Sequence, residues 1–144
     1  MATFTMKILL HDGHHYVLRF DRGEEVIASL GRFAVEEKIT AATFTALGAA
    51  GKTVLAYYDL EKKVYIDKVL EEDLEIASVV GNIGVKGEAP AVHAHGCLSD
   101  ASFKTYSGHI KEMRVSVTCE VSLMKLEGVL ERVFDAESGL NLMK

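Results

Sequence analysis

Over Arg114 to Leu126 the side chains alternate, with Val115, Val117, Cys119, Val121 and Leu123 on one parity and Arg114, Ser116, Thr118, Glu120 and Ser122 on the other. A period of two is the repeat of an extended strand, whose successive side chains point to opposite faces. The pattern predicts a strand with one buried face, and such a strand needs sheet neighbours and an apolar layer to cover it. Thr43 to Leu47, Thr53 to Tyr58, Val64 to Leu70, Leu74 to Val80 and Ala91 to Leu98 are rich in β-branched and aromatic residues. They read as further strands, separated at Gly48, at Gly51 and at a turn around Asp59 to Lys62. Lys7 to Leu10 and His15 to Phe20 form a hairpin signal around Asp12-Gly13. One segment departs from this texture. From Glu24 the residues Val26, Ile27, Leu30, Phe33, Ala34 and Val35 recur at helical spacing, predicting a helix to about Lys38 that Asp21 or Gly23 can start. The expected class is α+β, in loose usage α/β: a mainly antiparallel sheet with packed helices, in a single domain spanning residues 1–144.

Composition narrows the compartment and the partners. No stretch is long and apolar enough to span a bilayer, and Met1 to Leu10 lacks the longer apolar run and cleavage site of a secretory signal. A cytoplasmic location is therefore expected. Two cysteines, Cys97 and Cys119, are too few for a disulfide framework and read as thiols. The formal net charge of −5 argues against unaided binding to nucleic acid. Basic residues gather at Lys62, Lys63 and Lys68 and again at Lys104, Lys111 and Arg114, but acidic neighbours interrupt both groups, and solvated faces are the expected reading.

The chemistry concentrates in Ala89-Pro90-Ala91-Val92-His93-Ala94-His95-Gly96. Two histidines two apart on a strand project to the same face, so both imidazoles can reach one metal without bending the backbone. His109, in Tyr106-Ser107-Gly108-His109, can complete a triad, with Gly108 allowing a turn or a close backbone approach. Three neutral imidazoles with a fourth position open are typical of catalytic zinc and suit other divalent first-row metals. The competing reading is three exposed or hydrogen-bonded histidines without a metal.

Other candidates are weaker. Cys97 shares parity with His93 and His95, yet Gly96 can break the strand and a buried thiol is commoner than a ligand. His11, His14 and His15 read as a solvated turn. Glu120 can serve as a hydrogen-bond partner to a histidine, as a general base, or as an exposed side chain. Ala46-Leu47-Gly48-Ala49-Ala50-Gly51-Lys52-Thr53 approaches the spacing of a phosphate-binding loop, but such a loop must open a helix and Thr53 to Tyr58 reads as a strand, so no nucleotide site is expected.

From about Lys7 to the carboxyl terminus the chain resembles prokaryotic proteins of the plants-and-prokaryotes-conserved (PPC) domain family. The likeness rests on Leu47-Gly48-Ala49, on Leu74 to Gly84, on His93-Ala94-His95, on Ser107-Gly108-His109, and on Arg132-Val133-Phe134-Asp135 with Ser138-Gly139-Leu140. The resemblance implies an antiparallel sheet with flanking helices, assembly into homotrimers, and a metal held by His93, His95 and His109. Plant relatives carry an AT-hook whose Arg-Gly-Arg-Pro core enters the minor groove. The only proline here is Pro90, so this sequence holds no such motif. Their partner-recruiting Gly-Arg-Phe-Glu-Ile-Leu segment corresponds to Glu72-Asp73-Leu74-Glu75-Ile76-Ala77, where acids replace the Gly-Arg pair. Gly31-Arg32-Phe33 is a chance echo in the expected helix. Two classes of function follow. One is a binding or regulatory module, DNA-associated or ligand-sensing. The other is a zinc-dependent enzyme acting on a small carbonyl or carboxylate compound, since the fold resembles acetolactate decarboxylase. A small-molecule cavity over the metal favours the enzyme, and a filled fourth position with a basic trimer face favours the module.

Overall fold

The computed structural model describes residues 6–144; the expectation for the amino terminus falls partly on residues 1–5, outside them. Nine strands and one helix follow in chain order among the described residues: β1 (Lys7–Asp12), β2 (His15–Asp21), α1 (Val26–Glu36), β3 (Ala42–Asp59), β4 (Val64–Leu70), β5 (Leu74–Lys86), β6 (Ala89–Ser99), β7 (Thr105–Lys125), β8 (Arg132–Asp135) and β9 (Leu140–Met143). The expected α+β class with packed helices is corrected by this inventory. The fold is mostly antiparallel sheet, and the helical content is one segment of 11 residues. The β-branched runs continue through glycines where interruptions were expected, so Thr43 to Leu47 and Thr53 to Tyr58 belong to the single strand β3.

Seven strands form one sheet in the order β1-β2-β7-β6-β5-β3-β4, and β7 also pairs with β3. The extra pairing closes a circuit of β3, β5, β6 and β7. The two long strands make this possible by shifting register as they cross. Gly48 sits at one such shift, where a Cβ would lie 2.0 Å from the Thr118 carbonyl oxygen and the backbone has φ +147°. Its role is close approach within a strand. The segment Ala46 to Thr53 thus opens no helix and is not a phosphate-binding loop. The same irregularity breaks the alternation of β7: Cys119, Val121 and Leu123 are buried as expected, but Val117 is 68% exposed. Val115, beyond the shift, is buried again, so the exposed Val117 belongs to the residues that the shift leaves unpaired with β3 between Val115 and Cys119.

Helix α1 packs against β6 and β7. Its start is set by Glu25, whose carboxylate accepts from the N–H groups of Ile27 and Ala28, and not by Asp21 or Gly23. The same carboxylate accepts from Met113 N–H at 2.9 Å, tying the helix to β7. Leu30 and Phe33 enter a core with Leu18, Phe20, Ile83, Leu98, Met113, Val121 and Leu123. Each such side chain contributes about 1.5–3 kcal/mol by leaving water. No helix among the described residues is long and apolar enough to cross a membrane.

Candidate metal centre

His93 and His95 lie on β6, separated by Ala94, which is 1% exposed in the core. Strand alternation therefore turns both imidazoles away from the core. His109 on β7 is the register partner of His95 and also of Ala56 on β3, so it stands where β7 passes from one neighbour to the other. Gly108 does not make a turn. It pairs with Gly96 inside the ladder, and a Cβ there would come within 3.1 Å of the Ala56 carbonyl oxygen. Nor does Gly96 end its strand, which runs on to Ser99.

The three rings converge. Their centroids are 5.0, 5.3 and 5.5 Å apart, and one ligand atom from each lies within 4.8 Å of the others. Nε2 of His93 is 3.2 Å from Nε2 of His95, while Nδ1 of His93 is 3.2 Å from Nη2 of Arg132. A guanidinium only donates, so Nδ1 of His93 carries no proton in this arrangement. The neutral ring then holds its proton on Nε2 and donates it to His95. Burial pushes the pKa of His93 down to about 4, with further lowering by Arg132, His109 and His95. Burial is also the main cause lowering the pKa of His109, followed by His95 and Lys111. Both groups are therefore held neutral, the form in which imidazole binds a metal. Tyr65 stacks on the His109 ring at 5.0 Å.

This donor set fits a divalent metal. Tetrahedral bonds of about 2.0–2.1 Å set neighbouring nitrogens roughly 3.3 Å apart, close to the His93–His95 separation. Nδ1 of His109 is buried without a hydrogen-bond partner, a costly state that a ligand or metal would relieve.

Above the triad lies a cavity of about 530 Å³. Tyr57, Tyr58, Tyr65, Leu140 and Leu142 give it an apolar wall, with Arg132 and Asn141 as polar groups besides the histidines. One side is the hairpin of β8 and β9, paired from Arg132↔Met143 to Asp135↔Leu140. Tyr58 Oη donates to the Ser138 carbonyl at 2.6 Å and Lys63 Nζ to that of Ala136 at 2.9 Å, latching the hairpin to β3 and its turn. Arg132 anchors its base through Nη2 to Asn82 Oδ1 at 2.7 Å and Nη1 to the Asn141 carbonyl at 3.2 Å.

The other sequence candidates stand apart from the cluster. Cys97 accepts a hydrogen bond from Ser107 Oγ at 3.4 Å and is not grouped with the histidines. His11 stacks on Tyr16, and exposed His14 approaches Glu127 at 3.9 Å. Glu120 lines a different groove with Val17, Leu47 and Val80. Lys111 pairs with Asp67 at 2.6 Å, Arg114 with Glu112 at 3.5 Å, and Lys104 lies over the Tyr106 ring. Sequence reasoning assigned no role to Arg132, Asn82, Asn141 or Tyr65. The Asp135 to Gly139 turn, in which Asp135 Oδ2 accepts from Ser138 N–H, was the available sign of the hairpin that brings two of them in.

Residues 10–127 match the family model of the Plants and Prokaryotes Conserved (PCC) domain. A metal-containing protein from Archaeoglobus fulgidus is 37% identical, with a TM-score of 0.85 over 100% of this chain and 99% of that one. A plant- and prokaryote-conserved (PPC) protein from Pyrococcus horikoshii is 30% identical, with a TM-score of 0.86 over 100% and 97%. A protein from Ralstonia eutropha, provisionally named DNA-binding, is 26% identical, with a TM-score of 0.88 over 94% of each chain. No curated protein matches.

Proposed function

Because the chain belongs to the Plants and Prokaryotes Conserved domain family, we propose that it is a metal-dependent regulatory module that senses a small molecule. His93, His95 and His109 hold one divalent metal, zinc being the first choice for three imidazoles. The observation that carries this reading is the convergence of three imidazoles beneath a cavity with no Asp or Glu among its described lining residues. Bound there, the metal supplies an electropositive open position to a ligand in the cavity. His93 and His109 contribute neutral donors, Tyr65 fixes the His109 ring by stacking, and the β8–β9 hairpin shields the ligand from water. The metal-containing Archaeoglobus relative supports the assignment.

A cavity over the metal is the feature expected of the other class, a zinc-dependent enzyme on a small carbonyl or carboxylate compound. Its lining supports the module instead. Among the described residues bordering it none is Asp or Glu, so with the three histidines committed to the metal proton transfer would fall to the tyrosines. Glu120, the sequence candidate for that task, borders another groove. Binding is therefore the favoured role, and DNA association, supported by the name of the Ralstonia protein, is the second reading.

Assembly into homotrimers belongs to the same proposal. Exposed Leu47, Val80 and Val117 on the outer sheet face support it, since apolar side chains of that size gain by being covered. Unbridged Cys97 and Cys119 support a reducing, cytoplasmic setting.

Elemental analysis of tag-free protein after zinc exposure tests the centre. One zinc per chain, lost in the H93A/H95A/H109A variant, is expected. No zinc in the wild type overturns the reading, and light scattering that reports a monomer at micromolar concentration removes the trimer.

A further inference from the structure

Arg132 is the group beside the triad whose bonds cannot all persist once a metal is held. Nε2 of His93 faces Nε2 of His95 and is the atom turned to the centre of the cluster. When Nε2 gives its lone pair to a metal, the neutral ring must carry its one proton on Nδ1. That proton then points at Nη2 of Arg132, 3.2 Å away, and a guanidinium cannot accept it. An acceptor is close by: Asn82 Oδ1 lies 2.7 Å from the same Nη2, on the residue that pairs with His93 across β5 and β6. Metal-bound imidazoles regularly pass their second N–H to such an oxygen. The exchange releases Nη2 from His93 and leaves it to share Asn82 Oδ1, which has two lone pairs, with the imidazole N–H, while Nη1 keeps the Asn141 carbonyl. A part-buried cation with a freed edge is left on the wall of a mainly apolar cavity.

The same wall carries a second unmet group. Asn141 Oδ1 is buried without a partner, and its residue lines the cavity with Arg132. A buried acceptor of this kind calls for a donor. A ligand that answers every feature has an anionic head for Arg132, an adjacent O–H or N–H for Asn141, and an apolar body for Tyr57, Tyr58, Tyr65, Leu140 and Leu142. The one guanidinium among the described lining residues is planar and fits one carboxylate bidentately, its charge adding to that of the metal.

We propose that the cavity takes a small organic monocarboxylate with an apolar body and a hydroxyl beside the carboxylate, and that Arg132, freed from His93 by metal loading, is its anion-binding residue. This rests on the metal reading above. The probes are mandelate and its neutral counterpart mandelamide, titrated calorimetrically into zinc-loaded wild type and into Arg132→Gln and Arg132→Lys variants, with zinc content measured on each sample.

The expected result is mandelate binding to the wild type with mandelamide at least about tenfold weaker, as for loss of a charge-assisted hydrogen bond. R132Q should keep its zinc and lose mandelate affinity by a similar factor, and R132K should lose less. Equal affinity for the two probes, no mandelate binding by zinc-loaded wild type, or undiminished binding by folded R132Q each overturn the proposal while leaving the metal centre standing. A wild type that takes up no zinc overturns the metal reading itself and this inference with it. Because Arg132 also anchors the β8–β9 hairpin, Asn141→Asp is a second variant: a carboxylate there engages the guanidinium and should weaken mandelate by about tenfold without affecting mandelamide. Mandelate binding unchanged in N141D also overturns the proposal.

Discussion

His95 and His109 are direct register partners across β6 and β7, so two of the three imidazoles are aligned by the backbone ladder itself. Non-adjacent residues in this relation have Cβ atoms about 5 Å apart whatever the loop between them does. His93 joins from the other direction, two residues along the same strand as His95.

That arrangement gives the first prediction. Replacing any one of the three by Ala leaves two donors on a rigid sheet that cannot bring in a substitute. Competition with a chromophoric chelator should show zinc affinity reduced by more than about a hundredfold, with circular dichroism unchanged for H95A because His95 is exposed. Undiminished affinity in H109A would mean that the third donor comes from elsewhere.

The second prediction concerns acid. The pKa of His93 falls from 6.5 to about 4, chiefly through burial. The unfolded chain therefore takes up this proton first as pH drops. The contribution of His93 to stability is complete above about pH 6.5 and is lost as the pH falls towards 4. In metal-free protein, Tm should decline through that window more steeply for the wild type than for His93→Gln. Parallel declines would place the sensitivity in other groups.

Much of the sheet was readable because alternation and β-branched composition are local signals. β4 matches its expected bounds, and the first hairpin and α1 lie where their patterns put them. The long strands were not readable as units. Gly48 and Gly51 look like breaks in the sequence, yet both lie within β3, which pairs with β7 on either side of its register shifts. The site shows the same division. His93 and His95 declare themselves by spacing, whereas Arg132 meets His93 only because β8 folds back beside β5, with Glu131 bridged to Val85. A contact made by a returning hairpin leaves no periodic trace.

A third prediction separates the cysteines. Cys119 is fully buried and its thiol is pushed up to about 12, mainly by burial. Cys97 is half-buried on β6. Native protein at pH 8 should take one equivalent of iodoacetamide, at Cys97, and a second only after denaturation. Mass spectrometry that finds rapid native labelling at Cys119 would show that this part of the core opens.

Glycine substitutions supply a fourth. Gly48→Ala places a Cβ 2.0 Å from the Thr118 carbonyl oxygen, where β3 and β7 are backbone to backbone. A loss of more than about 3 kcal/mol is expected by denaturant titration. Gly87→Ala also meets a left-handed backbone, at φ +62°, but nothing lies within 4 Å of the new Cβ, so about 1 kcal/mol is expected. Equal costs would mean that the crossing has room to spread.

The last prediction is weak or absent binding of DNA by this chain. The formal charge of −5 would be multiplied in a trimer, and the basic residues from which a patch could be gathered are already engaged. Lys111 is held by Asp67 and Arg114 by Glu112 and the Gly23 carbonyl, while Lys104 and Lys68 both lie over the ring of Tyr106. DNA phosphates would have to displace those carboxylates before pairing with the cations, and each phosphate so neutralised steepens the fall of log K with log salt by about 0.9. Fluorescence anisotropy with an A/T-rich duplex at physiological salt should therefore give at most a shallow, sequence-independent rise. Submicromolar, sequence-dependent affinity would make DNA association the better reading. Ala substitutions at Lys104, Lys111 and Arg114 would then locate the surface, since removing a cation that pairs with a phosphate reduces the salt slope, while removing one that stays paired with its own carboxylate does not.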